Sequence, residues 1–236
     1  MSGASLTMSL DRLTPPRLAQ VIRSRRRSME LRLYPDRRIE IRAPLHSSEQ
    51  ALRAFVDSKQ HWLQRRLAAL PAAAVAPGYA AGERHLYLGE RYPLAFCSGP
   101  TAVAIEQQQL VVSAPRLPDS EQVAAALTSW YRQQAKHCFA ALIDQHFPFF
   151  AARGHSRPQL RIRAMRSRWG SLSSRGNINL NLHLIRTPLP CIEYVVVHEL
   201  CHLEQMNHGL AFRALMSERL ADWQNRKQQL NLSPLI

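Results

Sequence analysis

The sequence predicts an α+β chain in which one buried helix packs on a small, mainly antiparallel sheet, with an N-terminal β-rich portion and long helices around it. Three patterns carry that expectation. Residues 187–203 place Ile192, Val195, Val196, Leu200 and Leu203 at spacings near three and four, the period of a helix with a buried side. Residues 177–184 alternate Ile178, Leu180, Leu182 and Leu184 with Asn177, Asn179, Asn181 and His183, the period-two pattern of a half-buried strand. Between residues 84 and 113, short β-like runs succeed one another, and residues 47–70 and 120–147 read as long helices.

In chain order, residues 1–19 lack the apolar stretch of a signal peptide and read as a flexible tail. Residues 20–118 form the N-terminal portion, β-rich with one helix. Within it, residues 28–33 and 38–42 read as a hairpin around Pro35-Asp36. Ser47 or Ser48 opens a helix to about Leu70, with Leu52, Phe55, Val56, Trp62, Leu63 and Leu67 on its apolar side. Residues 71–78, rich in Ala and Pro, read as a linker, and strands at 84–88, 91–96, 101–106 and 110–113 come after it. Pro115 and Pro118 break the chain before the second portion, residues 119–236.

That portion opens with a helix from about Ser120 to Phe147, with Val123, Leu127, Trp130, Tyr131 and Leu142 inward. Strands at 159–163 and 177–184 are separated by turns containing Gly170 and residues 173–176. Thr187 can N-cap the next helix, and Pro188 and Pro190 suit its first turn, where no amide needs an intrahelical partner. Val195, Val196 and Val197 are weak helix formers, so packing rather than propensity holds this helix. Residues 210–230 complete the fold with helix, burying Phe212, Leu215, Met216 and Trp223.

The buried helix carries His198-Glu199-Leu200-Cys201-His202. Residues four apart share a face, so His198 and His202 can point both imidazoles at one Zn²⁺, each at roughly 2.0–2.1 Å. Glu199 stands beside the first ligand, where its carboxylate reaches a water at the metal without binding the metal itself. His208 can join them only if the helix ends first; Asn207 as a left-handed stop, with Gly209 behind it, would turn the chain back. Three protein ligands leave a fourth position open, the arrangement of catalytic rather than structural zinc. Otherwise His208 is an ordinary histidine at a helix end, or Glu204 or Glu218 completes the site. His137, His146, His155 and His183 show no metal spacing, and Cys201 reads as a small buried hydrophobe.

Arg168-Trp169-Gly170-Ser171, Asn177-Ile178-Asn179-Leu180-Asn181, the run from Tyr194 to His202, and Asn207-His208 together resemble the YgjP-like metallopeptidases, which stand beside the SprT-like and Wss1-like proteases. The run from Gly82 to Gly89 resembles the family's central strand-turn signature, and residues 23–62 its N-terminal strands and first helix. The resemblance implies a zincin-like catalytic core within residues 119–236, zinc on His198, His202 and His208, and Glu199 as general base. Two positions depart from the pattern. Leu172 stands where family members commonly have Cys, and Ala221 precedes Asp222-Trp223 where they have Pro. Neither removes a metal ligand or the base.

The 236 residues contain no run of 18 apolar residues, which excludes a transmembrane helix. Cys97, Cys138, Cys191 and Cys201 show no paired spacing, which points to a reducing, cytoplasmic setting. The net charge is +14, from 31 basic against 17 acidic residues. Such a surface favours anionic partners, nucleic acid or nucleotides among them. Arg23, Arg25, Arg26 and Arg27 form one cluster; Arg161, Arg163, Arg166 and Arg168 form another just before the active-site elements.

The leading expectation is a zinc metallopeptidase acting on peptide or protein. Arg168 and His183 qualify by residue type as oxyanion stabilisers, and Trp169, Asn179 and Asn181 as further substrate contacts. The strand carrying the asparagines is expected beside the zinc helix, where a substrate backbone can add to a sheet edge. Two alternatives keep the same metal: a nucleotide phosphoanhydride hydrolase that uses Arg to neutralise charge, and a DNA-associated protease acting on DNA-bound proteins.

Overall fold

Leu6, Met8 and Leu10 alternate with Ser5, Thr7 and Ser9, and in the computed structural model of the protein these residues form a strand, β1 (Ser5–Leu10). It pairs antiparallel with β2 (Arg17–Ser24), so the described part of the expected tail is sheet. The period-two pattern explains the difference, since alternation needs only six residues to specify a strand. The structure describes residues 5–10, 17–34, 37–69, 78–165 and 168–233. Pro35-Asp36, Arg166 and all but the last residue of the expected linker lie outside these.

The chain divides into two units, residues 1–75 with 234–236, and residues 76–233. In the first, β3 (Glu30–Leu33) pairs antiparallel with β4 (Ile39–Pro44), and β4 pairs parallel with β2, giving the order β1-β2-β4-β3. A helix, α1 (Glu49–Ala69), buries Leu52, Val56, Leu63 and Leu67 with Val21, Ile39 and Ile41 of the sheet. Ser48 Oγ accepts the Ala51 amide at its start. Trp62, expected inward, remains 38% exposed.

The second unit repeats that topology. β5 (Arg84–Tyr87), β6 (Glu90–Ser98), β7 (Ala102–Glu106) and β8 (Gln109–Ala114) take the order β5-β6-β8-β7, again with the middle pair parallel. These strands were expected to end the N-terminal portion at residue 118. They belong instead to the second unit, because Leu94, Leu110 and Val112 share one core with the long helix α2 (Ser120–His146) and its Val123, Leu127 and Trp130. Asp119 and Gln122 form a capping box at the start of α2. A short turn of helix, α3 (Pro148–Ala151), comes directly after it.

Three strands build the sheet beneath the site: β9 (Gln159–Arg163), β10 (Gly170–Leu172) and β11 (Asn177–Asn181), in the order β10-β11-β9. The β10–β11 pairing is antiparallel and the β11–β9 pairing parallel, so this small sheet is mixed. Parallel pairing requires the chain to cross from β9 to the far edge before returning. Asn181, fully buried, ties down that crossing by donating to the carbonyls of Met165 (2.7 Å) and Arg168 (3.0 Å) and accepting from the Met165 amide (3.3 Å). Its side chain also accepts the His183 amide, which ends the strand at Asn181 and turns residues 182–186 into a 3₁₀ helix. The expected strand therefore stops short of His183.

The buried helix is α4 (Leu189–Cys201), capped by Pro188. Thr187 does not cap it; its hydroxyl donates to the Leu184 carbonyl instead. The β5–β6 turn fixes where α4 begins. Leu88 and Gly89 donate to the carbonyls of Ile185 and Arg186, and a Cβ on Gly89 would meet Pro188 Cγ at 2.8 Å. With φ at +89°, that position favours glycine twice over. Two helices close the unit, α5 (Leu210–Arg219) and α6 (Trp223–Leu232). No helix of the described residues is long and apolar enough to cross a membrane.

Candidate metal centre

Nine of the thirteen residues of α4 are buried, including Val195, Val196, Val197, Leu200 and Cys201, so His198 and the C-cap His202 project from an apolar rod. The helix gives way to a tight turn after Cys201, where the amides of Leu203, Glu204 and Gln205 bond back to Leu200 and Cys201. That turn brings His208 over the end of the helix. Asn207 does not take the left-handed conformation expected of it, and Gly209 behind it is extended at the start of α5.

The donor atoms of His198, His202 and His208 all lie within 4.8 Å of one another. Their ring centroids are 4.8–5.0 Å apart, and Phe212 forms a common floor at 4.7–5.0 Å from each. His208 Nε2 sits 3.0 Å from His198 Nε2. Burial, with His202, His208 and Lys227 adding to it, pushes His198 down to about 3; burial, then His202 and Lys227, also lowers His208. Both therefore favour the neutral imidazole that a metal requires. His202 Nδ1 donates to the Gln205 carbonyl at 2.9 Å, which fixes the ring and leaves Nε2 for the cluster.

Glu199 is 5% exposed. Its carboxylate lies against β10 and accepts the Leu172 amide, and a Cβ on Gly170 would come within 2.7 Å of its Oε1. Burial raises it to about 7, against the opposing pull of the Leu172 amide and the Arg168 charge. β10 is an edge strand. The Trp169 carbonyl accepts from Asn181 and the Ser173 amide donates to Asn177, so Gly170 and Leu172 turn their backbone groups away from β11. The asparagine strand expected beside the zinc helix, β11, is paired on both sides.

Beside Glu199 opens a cavity of about 200 Å³, lined by Trp169, Gly170, Tyr194, His198, Lys227 and Leu230 among others. Of the residues singled out in the sequence, Trp169 lines it and Arg168 is exposed next to it in the chain. Asn179 bonds across to Ser171, and Asn181 bonds to the carbonyls of Met165 and Arg168. His183 lies on the 3₁₀ turn, outside both the cavity lining and the histidine cluster. Glu204 and Glu218 face Arg153 at 3.3 and 3.8 Å, and His146 bonds to Glu193 at 2.8 Å. Among the described residues, the three histidines are the one group gathered like metal ligands.

Sequence reasoning missed Phe212 as the floor and α6 as a wall. No local pattern marks either. α6 is placed by Arg226, which ion-pairs with Glu193 on α4 and with Asp222.

The YgjP-like metallopeptidase domain family matches residues 27–233 of the chain. No curated protein matches it. Two solved structures share partial likeness. The metallopeptidase zymogen of Methanocaldococcus jannaschii jannalysin is 15% identical, over 39% of this chain and 86% of that one, with a TM-score of 0.35. The metallopeptidase zymogen of Pyrococcus abyssi abylysin is 21% identical, over 42% of this chain and 99% of that one, with a TM-score of 0.34.

Proposed function

The chain belongs to the YgjP-like metallopeptidase domain family, and we propose that it is a zinc-dependent peptidase with Glu199 as general base. One observation carries this reading: three clustered imidazoles meet one buried carboxylate at the open edge of a sheet. His198, His202 and His208 would hold the metal. Two nitrogens bound tetrahedrally at roughly 2.0–2.1 Å would sit about 3.3 Å apart. The 3.0 Å between His198 and His208 is close to that spacing. An all-nitrogen set of three with a free fourth position suits zinc. When bound, zinc supplies a Lewis acid that polarises the scissile carbonyl and acidifies water.

The rest is work for the chain's own groups. Glu199 takes a proton from the attacking water and delivers it to the departing amine. A carboxyl pushed up to about 7 is matched to a group that must accept and release a proton near neutral pH. The outward backbone groups of Gly170 and the Leu172 carbonyl give an extended peptide a strand edge to pair with. Trp169 bounds the substrate on one side, whereas Asn179 and Asn181 act by holding β10 and its approach. Four free thiols fit a reducing, cytoplasmic setting.

The test is cleavage of a mixed pool of unfolded proteins by the zinc-loaded protein, read by mass spectrometry beside Glu199→Gln. The variant should keep its zinc and lose the cleavage products; equal products from both would remove Glu199 from the chemistry.

A second reading, a DNA-associated protease, draws on charge. No Asp or Glu lies between Asp144 and Glu193, and Arg161, Arg163, Arg168 and Arg175 are exposed on or beside the sheet that borders the site. Steeply salt-dependent binding of single-stranded DNA would support it, and no binding at about 50 mM salt would end it. Phosphate or pyrophosphate released from nucleoside triphosphates would instead favour the phosphoanhydride alternative.

A further inference from the structure

Lys227 is one of three lysines in the chain, and it stands in the wall of the cavity beside Glu199. It has no carboxylate partner among the described residues. The acids of α4 and the one at the α6 N-cap have other partners: Glu193 and Asp222 both bind Arg226, and Glu199 accepts the Leu172 amide. Lys227 is thus the cation left over from an otherwise paired cluster. Its ammonium lies 5.9 Å from the Trp223 ring centre, and its charge is felt at both His198 and His208. Trp169, Tyr194, Val195 and Leu230 supply the apolar part of the lining, while His198, Glu199 and Asn231 add polar groups to it.

A cation with no carboxylate partner, set beside those apolar walls, suits an anion attached to hydrocarbon. At about 200 Å³ the chamber is smaller than the roughly 300–1,000 Å³ of typical ligand pockets, so it fits one residue and not an extended ligand. Position decides which residue. A strand added antiparallel to β10 runs from Leu172 towards Trp169, and the cavity lies at the Trp169 end. The cavity therefore receives the C-terminal part of a bound peptide.

Resting on the peptidase reading, we propose that this cavity is a carboxylate-recognising subsite in which Lys227 pairs with a substrate residue on the C-terminal side of the scissile bond. The carboxylate is either the α-carboxylate of a chain end or the side chain of Asp or Glu. A salt bridge to an ammonium serves both.

Three fluorescent peptides of one sequence separate the sources: one with a free C-terminus and neutral side chains, one amidated with a Glu, and one amidated and neutral. Binding to zinc-loaded Glu199→Gln protein is read by anisotropy, so that recognition is measured without hydrolysis. At least one carboxylate peptide should bind about tenfold more tightly than the neutral amide, and the one that does so names the source. The preference should vanish when Lys227→Ala is added, survive Lys227→Arg, and reverse towards the neutral amide in Lys227→Glu. Equal binding of all three peptides, or a preference that survives Lys227→Ala, would overturn the subsite. Hydrolysis of the same peptides by the wild-type holoenzyme is scored separately. Carboxylate preference without hydrolysis counts against the peptidase reading alone, and hydrolysis without preference counts against the subsite alone.

Discussion

Gly170 and Glu199 share a space too small for one more carbon: a Cβ at 170 would fall 2.7 Å from Glu199 Oε1 and 2.9 Å from its Cγ. The edge strand and α4 thus meet through bare backbone on one side and a carboxylate on the other. Two residues further along β10, the Leu172 amide holds that same carboxylate. The glycine sets the distance and the amide sets the direction.

Replacing Gly170 with Ala should therefore move Glu199 without touching a histidine. Because the clash involves the carboxylate itself, the cheapest relief is a displacement of the base by about 1 Å, a misplacement that costs on the order of 100-fold in turnover. Zinc content, measured by atomic absorption, should stay at the wild-type level. A variant with unchanged kcat would show that Glu199 tolerates the shift and that its contact with β10 is incidental.

The burial of Glu199 also predicts how the metal-free protein responds to pH. Its carboxyl is raised from 4.5 to about 7, chiefly by burial. A raised carboxyl binds its proton more tightly folded than unfolded, so its contribution is fully present below pH 4.5 and is lost as pH rises through about 7. The loss amounts to roughly 3 kcal/mol. His198, lowered to about 3, contributes with the opposite sign, since its stabilisation is lost as pH falls. Urea denaturation of wild type and Glu199→Gln from pH 4 to 8 separates the two, because the His198 contribution is common to both proteins and cancels in their difference. A difference that stays flat across that range would mean the carboxylate is solvated.

His198, Glu199 and His202 were legible in the sequence because one helix carries all three and helical spacing is local. His208 was legible as a candidate, but not the way it arrives, since the turn uses hydrogen bonds at 200–205 and no left-handed residue. Gly170 could be read only as part of a motif. Its reason is a contact with a residue far along the chain, and no spacing encodes that. The strand ending at Asn181 was overrun for a related cause: the alternation continues to Leu184, but one asparagine side chain offers the backbone a different partner. α6 was the least legible. It buries only Leu230 fully, and an ion pair to Glu193 seats it.

That ion pair is itself testable. Glu193 bonds His146 at the end of α2 and Arg226 on α6, tying three helices together through one carboxylate. Burial works against its charge, yet Arg226 and His146 together hold it below the usual carboxylate range. A depressed carboxyl stabilises the fold above its unfolded pKa and is lost as pH falls through its folded value. Glu193→Ala should cost about 2 kcal/mol at pH 7, in the range for hydrogen bonds to a charged group. The cost should shrink as the pH drops below 4. A loss of the same size at pH 3 would point to packing instead of charge.

His208 makes the last prediction, because it alone among the three histidines is exposed, and it lies beyond both α4 and its C-cap His202. The segment around it has little apolar anchoring: Met206 is 65% and Leu210 85% exposed. α4, by contrast, is locked by residues with no exposure, such as Val196, Val197 and Leu200. Bound metal should therefore order residues 203–209 far more than the helix. A ligand present at about 1,000 times its Kd stabilises the folded state by about 4 kcal/mol. Chelation should remove a stabilisation of that order and raise amide exchange in residues 203–209, while α4 stays protected. His208→Ala should weaken zinc binding at least about 100-fold, beyond the loss typical of outer-shell partners, and reproduce the exchange pattern of the chelated protein. If chelation instead opened α4 and spared the turn, His208 would not be a ligand, and the metal would be held from within the helix alone.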